Sequence, residues 1–378
     1  MKVIKNEITV IGGYGGGNVG DDALMWNVIK WLNVKFPNIT PLLVVYDKKL
    51  ILNVLKGLSY DVVDTFEDYS VESKVIIYGG GTQFFHFTKD KKKSSIIKKG
   101  FKFLLNPLSF FKSLKKHVSK KEVKSNHKFL LGIGFGPFIS KETAEYAKFL
   151  NVLEEAEHLY VRDSNSFQYI PEAFLSKITK GTDICYNRFF KEILVEANPE
   201  KFGNIKKNAI ILRDWHYDNV DHEKLLLSLR QLISLKKEER FDLIFFCDQL
   251  DSNLKEKFRG LDNLDFWSWD PSSNNLVGFF DRMKTYDLVI TSRFHGAIFS
   301  ALLDIPFITL EIEPKLNVPN QMYGNESILK EPFQLEKLVN LIAIAKDKTI
   351  VSEDTNNQLI NIGDGMFEDL TSRISKLL

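Results

Sequence analysis

Short runs of branched aliphatic residues alternate along this chain with longer stretches in which apolar positions return every three or four residues. The first pattern suits a strand buried on both faces, the second an amphipathic helix. In the first half it predicts strands at Glu7–Gly13, Thr40–Tyr46, Val75–Tyr78, Phe129–Gly134 and Leu159–Arg162, and helices at Asp21–Phe36 and Lys141–Glu157. Strand and helix in alternation imply a parallel, doubly wound sheet.

The second half repeats the plan. Strands are expected at Ala209–Leu212, Phe241–Cys247, Asp287–Thr291 and Phe307–Ile312. Helices are expected at Asp221–Leu235, near Leu254, at Asn275–Thr285 and at Ala297–Leu303. Turn residues and charges break the rhythm around 187–207. The fold class is therefore α/β: two Rossmann-like doubly wound domains facing each other across a cleft. Residues 1–190 form the N-terminal domain, 191–207 a linker and 208–378 the C-terminal domain. A last helix, Asp364–Leu378, is free to pack back on the N-terminal domain. A chain of 378 residues is long enough for two such cores.

One corner breaks the apolar pattern. The strand Asp287–Thr291 runs into Arg293 and His295, and from Gly296 onward Ile298, Ala301 and Leu302 take helical spacing. Arg293 and His295 thus fall on a β→α turn, where open parallel sheets bind ligands. A turn with no other task would use Gly, Asn or Ser. Positive charge there points to an anionic ligand. Arg213, closing the strand Ala209–Leu212, shares that sheet edge.

The first lobe carries glycines at the matching positions. Gly15, Gly17 and Gly20 satisfy G-x-G-x-x-G between a strand and a helix, and Asp47 stands where a ribose-binding acid would. Asp21 and Asp22 argue against a dinucleotide, because they place carboxylates where a pyrophosphate would rest. Two other readings remain. The loop is a plain turn with an Asp cap, or its backbone approaches a neutral ligand, with Asn18 and Asp21 bonding to hydroxyls. Glycine turns at Gly79–Gly81 and Gly132–Gly136 extend the second reading, since three at one edge clear a floor on which Gly17, Gly80 and Gly81 would lie. Arg162 and Asp163 are either a satisfied pair or a substrate contact.

Composition narrows the class. Cys185 and Cys247 cannot form a disulfide framework, which suits a reducing compartment. No apolar run reaches the roughly 18 residues of a membrane span, and the start lacks a signal-peptide core, so a cytoplasmic chain is expected. His86, His117, His127, His216 and His222 form no ligand set with carboxylates, and no metal is expected. The net charge of +2 hides a strongly basic insertion, 86–128. Between Lys89 and Lys128 stand fourteen lysines against Asp90 and Glu122, interleaved with Ile96, Ile97, Phe101, Phe103, Phe110 and Phe111. The insertion is either a solvated loop or a basic amphipathic element on an anionic membrane surface, at the inner face of the plasma membrane. The scarcity of arginine places nucleic acid last, and none is expected as a partner.

Taken together, "GNVGDDA" from Gly17, "YGGGTQF" from Tyr78, "GIGFGP" from Gly132, "VRDSNS" from Val161, "GTD" from Gly181 and "SRFHGAIFSALLDIPFI" from Ser292 occur in an order that resembles the polysaccharide pyruvyl transferase family. The resemblance runs from Ile8 to about Lys315. It implies a GT-B-like fold and transfer of pyruvyl from phosphoenolpyruvate to two hydroxyls of a sugar, as a cyclic ketal. No cofactor is implied beyond phosphoenolpyruvate as donor. By the same resemblance Arg293 and His295 are the active-site pair and Arg213 and Lys315 belong to the donor side, where the helix start at Gly296 would aim backbone N–H groups at the phosphate. Asn18, Asp21, Gly17, Gly80, Gly81 and Arg162 then fall to the acceptor, a sugar or lipid-linked oligosaccharide. Two alternatives remain: a GT-B glycosyltransferase using a nucleotide sugar, and a non-catalytic glycan-binding protein at the membrane surface.

Overall fold

The computed structural model describes residues 2–86, 121–197, 206–217, 219–347 and 353–378. Its first sheet contains β1 (Lys2–Ile11), β2 (Leu42–Val45), β3 (Asp61–Asp64), β4 (Tyr69–His86), β5 (Lys121–Phe138), β6 (His158–Val161) and β7 (Ile178–Lys180). Every pairing is parallel, in the order β3-β2-β1-β4-β5-β6-β7. Ile8, Val10, Val75, Ile77, Leu130 and Ile133 are fully buried, as parallel strands covered on both faces require. Helices α1 (Val19–Lys35) and α2 (Ala144–Glu155) provide cover.

The second sheet contains β8 (Lys207–Ile211), β9 (Arg240–Phe245), β10 (Leu264–Ser268), β11 (Leu288–Thr291), β12 (Phe307–Leu310) and β13 (Ile328–Leu329). It too is parallel, in the order β10-β9-β8-β11-β12-β13. In each sheet the winding reverses once, between β1 and β4 and between β8 and β11. The gap outside the strand ends at such a reversal is a natural ligand crevice.

The lobes are joined by apolar and polar contacts. Helix α3 (Arg188–Glu196) overlaps the stretch 191–207 read as a linker, and Phe189, Phe190, Ile193 and Leu194 give it a buried face. Phe190 lies 5.6 Å from the ring of Phe280 and 6.1 Å from that of Phe299, both in the second lobe. Burying such a ring contributes about 1.5–3 kcal/mol. At the start of α1, the Val19 N–H donates to the Phe246 carbonyl at 3.0 Å. The Trp269 indole donates to Asp22 Oδ2 at 2.7 Å.

Several expectations need correction. Residues 121–128, read as part of the insertion, belong to β5, where they pair with Tyr69–Ile76. The apolar residues of the proposed membrane element, Ile96 to Phe111, lie outside the described residues. Helix α4 (His222–Leu235) has nearly its expected bounds, as has α5 (Leu276–Met283). Helix α6 (Phe294–Leu302) starts two residues before Gly296, so His295 belongs to its first turn. Helix α7 (Leu335–Asp347) had no counterpart in the sequence reading. The last helix, α8 (Glu353–Ser375), starts eleven residues early. It returns to the first lobe, where Thr371 Oγ1 accepts from the Trp31 indole at 3.1 Å and Asp369 accepts from the Tyr160 hydroxyl at 2.6 Å.

Candidate active site

The two reversals face each other, and their loops enclose a cavity of about 250 Å³. The first lobe lines it with Asn18, Asp21, Gly81, Thr82, Phe85 and Arg162. From the second come Arg213, Arg293, His295, Glu313 and Lys315, with Phe246, Leu250 and Phe294. Residues assigned to donor and acceptor sides therefore share one space. Gly17, Gly80 and Gly296 lie outside its lining. Gly80 is closed in by Ile184 and Leu24, and Gly296 packs α6 on β11, with an added Cβ only 2.3 Å from Thr291 Oγ1. The Gly296 N–H donates to the Arg293 carbonyl at 3.0 Å, so it is committed to the helix rather than to a donor phosphate.

His295 is fixed on three sides. Its ring stacks on Phe299, with centroids 5.6 Å apart. Nε2 is buried and lies 3.4 Å from Asp183 Oδ2, although it is not aligned for a hydrogen bond. On the third side, a Cβ on Gly20 would come within 2.6 Å of Nδ1. Gly20, the last glycine of the G-x-G-x-x-G match, thus makes room for an imidazole from the other lobe. The other dinucleotide positions also have local tasks. Asp47 accepts from the Lys49 N–H at 3.0 Å, and Asp22 is buried against Trp269.

Arg162 is both a satisfied pair and part of the cavity wall. Nε donates to Asp163 at 3.1 Å, Nη2 donates to Thr82 Oγ1 at 3.0 Å, and Nη1 stands 3.4 Å from Asp183. Its guanidinium covers the Phe294 ring at 4.1 Å, across the lobe boundary. Gly134 gives it space, because a Cβ there would lie 2.4 Å from Nη2.

The remaining cations are held by buried carboxylates. Glu313 Oε1 lies 3.1 Å from both Arg213 Nη1 and Lys315 Nζ, while its Oε2 has no partner. Arg293 Nη2 pairs with Asp251, and its Nε has no partner among protein groups. Buried polar atoms are usually bonded, so orphans on both an arginine and a glutamate beside one cavity mark it as a place for a polar ligand. Three arginines and a lysine line the cavity, each paired with a buried carboxylate, and the unpartnered Arg293 Nε leaves a charged donor for an anion.

Burial and charge pull the acids apart. Burial pushes the Asp183 carboxyl up, but His295 and Arg162 outweigh it and hold it at about 2. Burial raises the Asp21 carboxyl, against the opposing influence of His295, Asn18, Lys315 and Arg293. Asp22 is raised to about 8, by burial first and by Asp21 in addition. Burial, together with Arg213 and Arg162, lowers the Lys315 ammonium. Asp183, Cys185 and His295 bring one donor atom each within 4.8 Å of one another. The Arg162 guanidinium already occupies Asp183, and burial keeps the Cys185 thiol protonated, so this set suits an ion pair better than a metal ion.

Sequence reasoning missed Asp251, Glu313, Thr82 and Phe85 and gave Asp183 no task. Asp183 stood in the "GTD" motif and Glu313 beside Lys315, which were usable signals. Asp251 lies in an ordinary polar stretch and carried none.

Two doubly wound lobes closing on one polar cleft define a GT-B-like architecture, and solved structures agree. The chain is similar to UDP-GlcNAc 2-epimerase from Methanocaldococcus jannaschii, with TM-score 0.54, 11% identity and coverage of 98% of this chain and 100% of that one. It is also similar to UDP-GlcNAc 2-epimerase from Neisseria meningitidis, solved with UDP-GlcNAc bound, at TM-score 0.53, 10% identity and full coverage of both chains. A glycosyltransferase from Rickettsia africae gives TM-score 0.52, 10% identity and 98% coverage of each chain. At such identities the likeness concerns the fold alone. The polysaccharide pyruvyl transferase family model matches residues 18–314, and the chain belongs to that family. No curated protein matches it. Among the described residues no helix is long and apolar enough to cross a membrane.

Proposed function

We propose that the protein moves the pyruvyl group of phosphoenolpyruvate onto two hydroxyls of a sugar in a lipid-linked glycan precursor, forming a cyclic ketal and releasing phosphate. The observation that carries this reading is the gathering of Arg162, Arg213, Arg293, Lys315 and His295 from two lobes around one small cavity. Phosphoenolpyruvate bears a carboxylate and a phosphate close together, and arginine forks pair with both. The cavity, about 250 Å³, has room for a compact donor.

Ketal formation needs a proton at the enol carbon and attack by a hydroxyl on the cationic centre that results. His295 is the proton donor in this account. Asp183, 3.4 Å from Nε2, positions the ring. Arg213, Arg293 and Lys315 take the donor's charges, while Asn18, Gly81 and Arg162 face the acceptor. Thermal-shift measurements with phosphoenolpyruvate against UDP- and GDP-sugars test this assignment. Stabilisation by phosphoenolpyruvate alone supports it, and stabilisation by a nucleotide sugar alone favours the glycosyltransferase reading.

A further inference from the structure

We infer that Asp21 is a second catalytic residue, the base that takes the proton of the attacking sugar hydroxyl and returns it to the departing phosphate. The inference rests on the pyruvyl-transfer reading and deepens it. Asp21 lines the cavity from the first lobe, and His295 lines it from the second. Asn18 Nδ2 donates to Asp21 Oδ2 at 2.6 Å and fixes the carboxyl. Gly13 and Gly81 stand beside it, where added Cβ atoms would lie 3.4 Å and 3.7 Å from Oδ1, at ordinary contact distance. A carboxyl that served only to cap α1 would not need to face an anion-binding cavity. The cap itself is already made by Asn18, whose Oδ1 accepts from the Gly20 N–H at 3.3 Å.

The reaction has more proton transfers than one imidazole can serve. Protonated His295 gives its proton to the methylene carbon of phosphoenolpyruvate, which becomes the ketal methyl. The first hydroxyl oxygen bonds to the adjacent carbon and its proton passes to Asp21. The C–O bond to phosphate then breaks, and Asp21 returns that proton to the leaving oxygen. The second hydroxyl closes the ring and its proton restores His295. Charges and protons balance without an external acid.

The surroundings of Asp21 suit a base. His295 faces it from α6, Arg293 from the residue before that helix, Lys315 from the turn after β12, Tyr14 from the glycine loop, Cys247 from just beyond β9, and Asp22 from its own helix. Burial outweighs these cations and raises its proton affinity, as a base working near neutral pH requires.

The test is Asp21→Asn, which keeps the shape and the contact with Asn18. Phosphate release from phosphoenolpyruvate would be followed with a panel of p-nitrophenyl hexosides as acceptors, and donor binding by calorimetry. We expect kcat to fall by about 100-fold or more. Donor KM should also fall, by about tenfold, because a like charge has left the site. The acid limb of the wild-type pH profile should vanish. A kcat within threefold of wild type, or a KM that rises as kcat falls, overturns the inference. Absence of glycoside-dependent phosphate release in the wild type would count instead against the pyruvyl-transfer reading.

Discussion

His295 Nε2, in the second lobe, stands 3.4 Å from Asp183 Oδ2, in the first. The pair crosses the cleft, so the imidazole is placed by a residue on the far side of the domain boundary. Asp183→Asn removes the charge and retains the size. The expected outcome is a folded protein with turnover reduced about 100-fold or more and donor affinity nearly unchanged. Steady-state phosphate release and calorimetric titration with phosphoenolpyruvate check both halves. A large loss of donor affinity with unchanged kcat would assign Asp183 to binding.

Gly20→Ala tests the same placement from the other side. Its Cβ would come within 2.6 Å of Nδ1 and 3.1 Å of the His295 Cβ. Overpacking of this kind costs about 1–3 kcal/mol, which two cores of this size can absorb. Activity should fall far more than stability. Thermal melts beside rate measurements separate the two.

Arg213 is the most accessible of the clamp residues, with a quarter of its side chain exposed. Arg213→Met should leave the fold intact and weaken phosphoenolpyruvate binding by about 10- to 100-fold, the worth of one charge-assisted hydrogen bond. Lys315 still neutralises Glu313 in this variant. An unchanged dissociation constant would remove Arg213 from the donor site.

Asp22 sets a pH dependence of stability. Its folded value of about 8 lies above the ordinary value of 3.8, so the fold keeps a proton that the unfolded chain releases. The stability this proton gives is complete below about pH 4 and is lost as pH rises toward 8, by at most about 1.4 kcal/mol per unit. Asp22→Asn should therefore raise the melting temperature at pH 8 and flatten its decline between pH 5 and 8. An equal decline in both proteins would show that the carboxyl is ionised in the fold.

The lysine-rich segment should bind anionic lipid. β4 and β5 run parallel over eighteen residues, so the ends it joins lie about 60 Å apart and it cannot simply be cut out. Replacing its lysines with glutamine over 89–116 should release the protein from phosphatidylserine vesicles while sparing turnover of soluble acceptors. Co-sedimentation reads the first effect, and unchanged sedimentation would speak against the membrane role.

The legible part of the fold was its buried centre. The centres of β1, β4, β8 and β11, such as Val75–Ile77, Ala209–Ile211 and Leu288–Ile290, are short, fully buried apolar runs, and they place the two reversals. The strands that escaped detection, β3, β7, β10 and β13, are the edges of the two sheets. Edge strands face water on one side and carry charge, as "DVVD" and "ITK" do, so their runs are short and broken. Arg293 and His295 were visible because charge at a strand end is out of place. Asp251 was not, because an acid becomes a counterion only when folding brings a distant arginine to it. The G-x-G-x-x-G match is ambiguous for a related reason. A glycine that clears space for His295 looks, in one dimension, like a glycine that clears space for a phosphate.

The most direct test compares wild type with His295→Ala, following phosphoenolpyruvate binding and acceptor-dependent phosphate release in the same preparations. The account predicts donor affinity within a few-fold of wild type and a rate at least about 100-fold lower. Phosphate release at close to the wild-type rate would contradict it.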